Sequence, residues 1–381
     1  MRIALLALHF AEYASRLALA LSAEHEVLLV LHSDNARDEL PEELRAQLSR
    51  SVTVRSLRLP RLRNPRVLGA ILSINRILRD FSPDVLHVQE VHPGYAGWAI
   101  LSFRGRLAVV LTVHDPVPHS GVFSKDNWRW KVVQWFRWKA SRVIVHGPRM
   151  RAELEELTAG VEGRIDVIPH GVLGRTGAED DVSGYEPGTF LFFGRIESYK
   201  GLRFLLDAGD ILRGRGLAFR VIVAGTGTDL ERHRTRIASA AWVELIDRRI
   251  PVAEVPGLFR RAMAVVLPYV DATQSGVAAT AFAFARPVVA TDVGDVPEVV
   301  IDGQSGLIVP PEDATALADA MEKLLLDCAL RDSLAAGAAR SAKEKLSWPR
   351  IAELTLDTYR RAIVSVKGTK LYRGFRPVSS K

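Results

Sequence analysis

The sequence predicts an α/β protein of two doubly wound domains, on three observations. Its 381 residues are too many for one ordinary domain and suit two, each with a full core. Short apolar runs rich in β-branched residues alternate with helix-length segments, as parallel strands buried on both faces do. A polar stretch at 174–188, holding Gly177, Asp180, Asp181, Ser183, Gly184 and Pro187, interrupts the series and has a linker's composition.

Residues 3–8 form the first expected strand. His9, Glu12 and Arg16 follow too early for a secretory apolar core, so a strand and a helix are expected here rather than a signal peptide. Further strands are expected at 27–31, 85–88, 109–113 and 143–145, then at 190–193, 220–224, 243–246, 264–267, 288–291 and 306–309. From Ala314 to Val366 the pattern is helical. The expected division is an N-terminal domain at 1–172, a linker at 173–188 and a C-terminal domain at 189–349. A helix at 350–366 returns to the first domain, and a disordered basic tail occupies 367–381. Two such sheets are expected to present their strand C-terminal ends across a cleft, where ligands of this architecture bind.

A hydrophobic fraction of 48% and a charged fraction of 25% exclude disordered and fibrous classes. Cys328 is the only cysteine, which excludes a disulfide framework and a cysteine-based zinc site and fits the reducing cytoplasm. No run approaches the ~20 apolar residues of a membrane-spanning helix, so any membrane contact is expected from the surface, on the inner face. The net charge of +7 is uneven: residues 50–151 carry eighteen Lys or Arg against five acids. That excess is either a solvated surface or a field that draws anionic lipid or polyphosphate. Nucleic acid is not an expected partner, since neither exposed aromatics on strands nor a helix-turn-helix pattern is present. On a helix beginning near Asp126, Trp128, Val132, Trp135 and Phe136 form an apolar stripe expected in the core. Trp130, Gln134 and Trp138 form a second line, flanked by Lys131 and Arg137, that either meets a membrane headgroup region or packs beneath a loop.

The segment richest in chemistry is 192–201, Phe-Phe-Gly-Arg-Ile-Glu-Ser-Tyr-Lys-Gly. A strand ends at Phe193, Gly194 permits close backbone approach, and a helix starts near Gly201, so Arg195, Lys200 and a helix N-terminus can converge on a diphosphate. Gln274, Ser275 and Gly276 begin another helix, where they either cap it or cradle phosphate and sugar oxygens. His114 leaves a buried strand at its C-terminus, with Asp115 beside it to set its tautomer. Glu90 and His92 end another strand. No acidic or histidine cluster has metal-ligand spacing, and no cofactor is expected.

The Gly194-Arg195 and Lys200-Gly201 pairs, the glycine turn 221–227 with Gly225 and Gly227, Leu267-Pro268-Tyr269, Arg286-Pro287, Gly294, Pro297-Glu298 and 306–309 resemble, in order and spacing, the retaining glycosyltransferases of family 4, also called glycosyl transferases group 1. Ile168-Pro169-His170-Gly171-Val172 is similar to that family's hinge, with histidine for asparagine. The resemblance implies a GT-B fold, a nucleotide-diphosphate-sugar donor held by the C-terminal domain, and a lipid-linked or carbohydrate acceptor held by the N-terminal one. It implies metal-independent transfer with retention, in cell-surface polysaccharide or glycolipid synthesis. His114, Arg195, Lys200 and Asp271 become the expected catalytic residues, and Gly194, Gly225, Gly227, Gln274, Ser275, Gly276 and Thr280 the donor site, with Glu90 and His92 facing the acceptor. The pattern departs from the family at its two glutamates, which fall on Ala272 and Thr280. Asp271 stands one residue from the first, and the Thr280 hydroxyl is the candidate ribose contact at the second. Loss of those carboxylates also fits a nucleotide-sugar-binding protein without turnover; an epimerase or hydrolase on the same fold is the other alternative.

Overall fold

The computed structural model describes residues 1–60, 64, 66–90, 95–103, 105, 107–117, 128–174 and 184–374, with backbone alone at 128–129 and 367–374. It divides into two compact units, Met1–Ile168 with Trp348–Lys381, and Pro169–Ser347.

The first unit holds seven parallel strands: β1 (Arg2–Ala7), β2 (Glu26–His32), β3 (Thr53–Leu57), β4 (Val85–Gln89), β5 (Ala108–Thr112), β6 (Arg142–Val145) and β7 (Ile165–Val167). Their order is β3-β2-β1-β4-β5-β6-β7, with Ile3 beside Val27 on one side and Val85 on the other. The central strands read as unbroken apolar runs because both their faces are covered. The edge strands β3 and β7 do not, and the sequence pattern missed both as strands. Each pairs with one neighbour only, and β3 is largely exposed.

Helices Val67–Phe81, Ala96–Phe103, Trp128–Lys139 and Pro148–Leu157 pack on one sheet face, contributing Ile74, Leu78, Ile100, Phe136, Met150 and Leu154 to a single core. Helices Ala11–Leu21 and Trp348–Gly374 pack against each other, with Tyr13 edge-on to Trp348 at 5.0 Å between centroids. The last helix is anchored to the sheet by Asp166, which accepts from Arg142 at 2.6 Å and Thr358 at 3.0 Å and pairs with Arg361 at 2.9 Å. It continues to Gly374, eight residues into the stretch expected to be a disordered tail; 375–381 lie outside the described residues.

The second unit holds β8 (Thr189–Phe193), β9 (Arg220–Ala224), β10 (Val243–Ile246), β11 (Ala264–Leu267), β12 (Val288–Thr291) and β13 (Gly306–Val309), all parallel, in the order β10-β9-β8-β11-β12-β13. Apolar clusters cover both sheet faces. The unit begins at Pro169, earlier than the boundary expected at 172, because Val172 N donates to Leu346 O at 3.2 Å. Much of the expected linker, 175–183, lies outside the described residues. Its end, 184–188, is built into the unit: Glu186 N donates to Arg261 O at 2.9 Å, and the buried Arg286 donates to Gly184 O at 2.6 Å.

In both sheets the winding direction reverses at one place, between β1 and β4 and between β8 and β11, where ligands of such sheets bind at the strand C-terminal ends. At the second reversal Gly201 has φ +70°, and a Cβ there would lie 1.8 Å from Pro268 O. Gly216 has a similar φ of +75° with open space around it. We expect Gly216→Ala to cost about 1 kcal/mol of stability, the left-handed backbone term alone, and Gly201→Ala about 2 to 4 kcal/mol. Guanidinium denaturation of the two variants measures the difference, and equal costs would show that the close approach to Pro268 is unimportant.

Candidate functional site

The loops that follow β8, β9 and β11 are joined to one another through their backbones. Gly194 N donates to Ala224 O, Ile196 N to Thr226 O and Asp229 N to Ile196 O, at 3.0 to 3.1 Å. Gly225 and Gly227 are required by this contact, since a Cβ on either would lie 1.8 Å from Gly194 O or 2.1 Å from Ile196 O. On the other side Val270 N donates to Tyr199 O at 2.8 Å. The Thr228 hydroxyl completes the frame by donating to Glu197 at 2.6 Å.

Within that frame Arg195 is exposed and Lys200 half-buried, and neither forms an ion pair among the described residues. The Lys200 ammonium lies 3.9 Å from the centroid of the buried Tyr269 ring, which steers the cation without neutralising it. Tyr269, two residues beyond β11, was not among the expected site residues; its signal in the sequence was its place in the Leu267-Pro268-Tyr269 string of the resemblance. Asp271 is exposed, also without an ion pair among the described residues.

The next turn resolves the capping question. Ser275 is buried and its hydroxyl accepts from Ala278 N at 3.3 Å, so it caps helix Gly276–Ala283. Thr280 is buried too, and its hydroxyl donates to Gly276 O at 2.9 Å within that helix. Its methyl group faces Gly174, so the structure does not present Thr280 as the open hydroxyl that was expected. Gln274 differs: its Oε1 is buried without a hydrogen-bond partner among the described residues, which costs about 1 to 3 kcal/mol unless something binds it. The loop is held from behind by Gly294, whose Cβ position would lie 1.7 Å from Ala272 O, and by Asp295 N, which donates to Thr273 O at 3.0 Å.

At the first unit's reversal two non-glycine residues take left-handed backbone angles, Phe10 after β1 with φ +60° and Glu90 after β4 with φ +59°. Strain of this kind, about 1 to 3 kcal/mol per residue, persists where surrounding contacts over-determine it and gathers at functional sites. Here both contacts converge on His114. The Phe10 ring stacks on the imidazole at 3.8 Å, and Glu90 accepts from His114 N at 3.0 Å. Glu90 also faces the buried Arg137 at 3.5 Å, so its carboxylate is engaged inside the unit rather than held out toward an acceptor as expected. His92 lies outside the described residues.

Asp115 was expected to set the His114 ring, and other groups do so. The ring nitrogens lie 3.1 Å from Gln89 Oε1 and 3.1 Å from His146 Nε2. His146 Nδ1 donates to Ile168 O at 3.0 Å, and the Gln89 amide nitrogen lies 3.3 Å from His87. His87 in turn contacts the Thr112 and Tyr359 hydroxyls at 2.7 Å each. A buried polar chain thus runs from the last helix through β4 and β5 to the end of β7.

Residues 11–172 match the family model described as Glycosyltransferase Family 4, and residues 187–327 match glycosyl transferases group 1. The chain belongs to the family 4 glycosyltransferases. Its two Rossmann-like domains have the GT-B fold. Among curated relatives of this family 4 member, a D-inositol 3-phosphate glycosyltransferase from Pseudarthrobacter chlorophenolicus is 34% identical over 239 residues, which are 59% of this chain and 56% of the relative. A glycogen synthase from Mycobacterium tuberculosis is 28% identical over 294 residues, 74% of this chain and 69% of that one. The chain therefore spans little more than half the length of the first of these. Two solved structures share the fold: sucrose-phosphate synthase from Thermosynechococcus elongatus, with a TM-score of 0.72, 20% identity and coverage of 96% of this chain and 100% of that one, and Anabaena HepE in complex with UDP-glucose, with 0.69, 18%, 94% and 99%.

Burial lowers the pKa of His146 to about 4, and burial with the neighbouring His146 lowers that of His87 to about 3. Both rings are neutral in the folded chain, whereas in the unfolded chain they titrate near 6.5. Between pH 6.5 and about 4 the unfolded state binds protons that the folded state refuses, so stability falls as pH drops, by about 1.4 kcal/mol per pH unit for each histidine. Denaturation of the wild type, His87→Gln and His146→Gln across that range should show flatter profiles in both variants; parallel profiles would mean that these rings are not held neutral.

Proposed function

We propose that this family 4 member is a glycosyltransferase that moves a sugar from a nucleotide-diphosphate-sugar to an acceptor hydroxyl, with retention and without a metal ion. The observation that carries the reading is the pair of cations Arg195 and Lys200, both without an ion-pair partner among the described residues, on the loop at the second unit's winding reversal. They stand at the N-terminus of helix Leu202–Gly214, whose dipole adds to their positive field. HepE, solved with UDP-glucose, supports a donor of this class.

In the proposed step the acceptor oxygen bonds to the anomeric carbon while the bond from that carbon to the diphosphate breaks. Both events take place on the same face of the sugar, and a departing diphosphate oxygen receives the hydroxyl proton. The protein's part is to stabilise charge growing on the leaving group, through Arg195, Lys200 and the glycine-permitted backbone at Gly194, Gly225 and Gly227. Gln274, whose Oε1 has no hydrogen-bond partner among the described residues, and Asp271 are proposed at the donor sugar, and Gly276 opens the helix behind them. Ser275 acts by capping that helix. Phe10, Glu90 and His114 mark the acceptor side, with Glu90 shaping it through His114 rather than touching substrate. The acceptor is proposed to be lipid-linked or carbohydrate in cell-surface polysaccharide or glycolipid synthesis, reached by a cytoplasmic protein at the inner membrane face.

A second reading, nucleotide-sugar binding without turnover, is favoured by Ala272 and the internally bonded Thr280 where the family resemblance calls for carboxylates. A panel of UDP-, GDP- and ADP-sugars separates the two, since a binding protein raises its melting temperature with donor but releases no nucleotide. Arg195→Ala and Lys200→Ala should each slow turnover about 30- to 1,000-fold with little loss of stability. Unchanged rates in both would remove the diphosphate assignment. Asp271→Asn and Gln274→Ala are expected to weaken donor use, and a silent pair would place the sugar elsewhere.

A further inference from the structure

Five of the eight large hydrophobic side chains that stand exposed among the described residues lie on three neighbouring helices of the first unit. Leu68 (64% exposed) and Leu72 (55%) are on helix Val67–Phe81, Trp98 (51%) on Ala96–Phe103, and Trp135 (43%) and Trp138 (40%) on Trp128–Lys139. All three helices bury their opposite sides in one core. Leu68, Leu72, Arg76 and Arg79 follow a helical stripe of i, i+4, i+8 and i+11, and Lys131, Trp135 and Trp138 one of i, i+4 and i+7. The Lys139 ammonium lies 3.7 Å from the Trp138 ring centroid and 5.0 Å from that of Trp135.

The helix assigned to membrane contact on sequence grounds keeps Phe136 buried as expected, but Trp135, expected in the core, is exposed. Of the line expected either at a membrane or beneath a loop, Trp130 and the flanking Arg137 are buried and Trp138 is exposed. The helix begins at Trp128, so Asp126 lies outside the described residues. Gly97 lets the Phe136 ring approach so closely that a Cβ there would lie 2.3 Å from it, and Arg137 turns inward to donate to the carbonyls of Pro116 and Asp115 at 2.6 and 2.9 Å.

We propose that this face docks on an anionic lipid bilayer, with Trp98, Trp135 and Trp138 entering the headgroup region and Arg76, Arg79, Lys131 and Lys139 facing lipid phosphates. Tryptophan beside cations is the composition that partitions into a charged interface. The charge selects the occupant. Asp80, 3.7 Å from Arg76, is the single acid on the three helices, so a second copy of this face would meet cation against cation, whereas an anionic bilayer complements it. Docking deepens the reading of a membrane-bound acceptor and rests on it for its purpose, but is measured without any donor.

Flotation of the full chain with vesicles of phosphatidylcholine alone, or mixed with phosphatidylglycerol, tests it. Binding should require phosphatidylglycerol, weaken as salt rises, and fall about tenfold or more in Trp135→Ala/Trp138→Ala and in Lys131→Glu/Lys139→Glu. Both variants should retain the wild-type circular dichroism and melting temperature, which excludes misfolding as the cause. Equal binding to neutral vesicles, no binding, or full binding by the folded variants would overturn the proposal, as would concentration-dependent dimerisation through this face without vesicle binding. Transfer to a water-soluble acceptor should be unchanged in both variants, so that a failed docking test and a failed transferase assay remain separate results.

Discussion

The candidate donor site depends on one constraint, the approach of backbone to backbone among the loops after β8, β9 and β11. Hydrogen bonds between main-chain groups set the distances there, and at Gly201, Gly225, Gly227 and Gly294 a side chain would occupy a carbonyl's place. Loops joined in this way need few side-chain anchors. Among the described residues Arg195 and Lys200 therefore have no ion pairs to maintain, and their charge remains available to a ligand. A charge already satisfied inside the protein would offer a diphosphate far less.

The first unit reaches order at its own winding reversal by other means. Phe10 and Glu90 take up strained angles that glycine would adopt freely, held by ring stacking and by bonds to His114. Behind them the chain of His87, Gln89, His114 and His146 links the last helix, β4, β5 and the end of β7. Burial keeps His87 and His146 neutral, which makes the network compatible with a core. A main-chain frame in one unit and a side-chain network in the other thus serve equivalent places in the same topology.

The sequence by itself determined the fold class and most of the strands, because a parallel strand covered on both faces needs an unbroken apolar run and little else produces one. It also marked the loops after β8, β9 and β11, since close backbone approach admits only glycine at Gly201, Gly225 and Gly227 and the φ of +114° favours it at Gly194. The edge strands β3 and β7 escaped because a strand with one free edge carries polar residues. Tertiary structure alone decided which way ambiguous side chains point. The helix Trp128–Lys139 has aromatics around most of its circumference, so periodicity placed Trp135 in the core beside Phe136, whereas the carbonyls that receive Arg137 turn that side chain inward and Trp135 stands exposed. The same holds for Ser275, Thr280 and Glu90. Each is chemically fit to meet a ligand, and each is engaged by a neighbour that only folding brings within hydrogen-bond range.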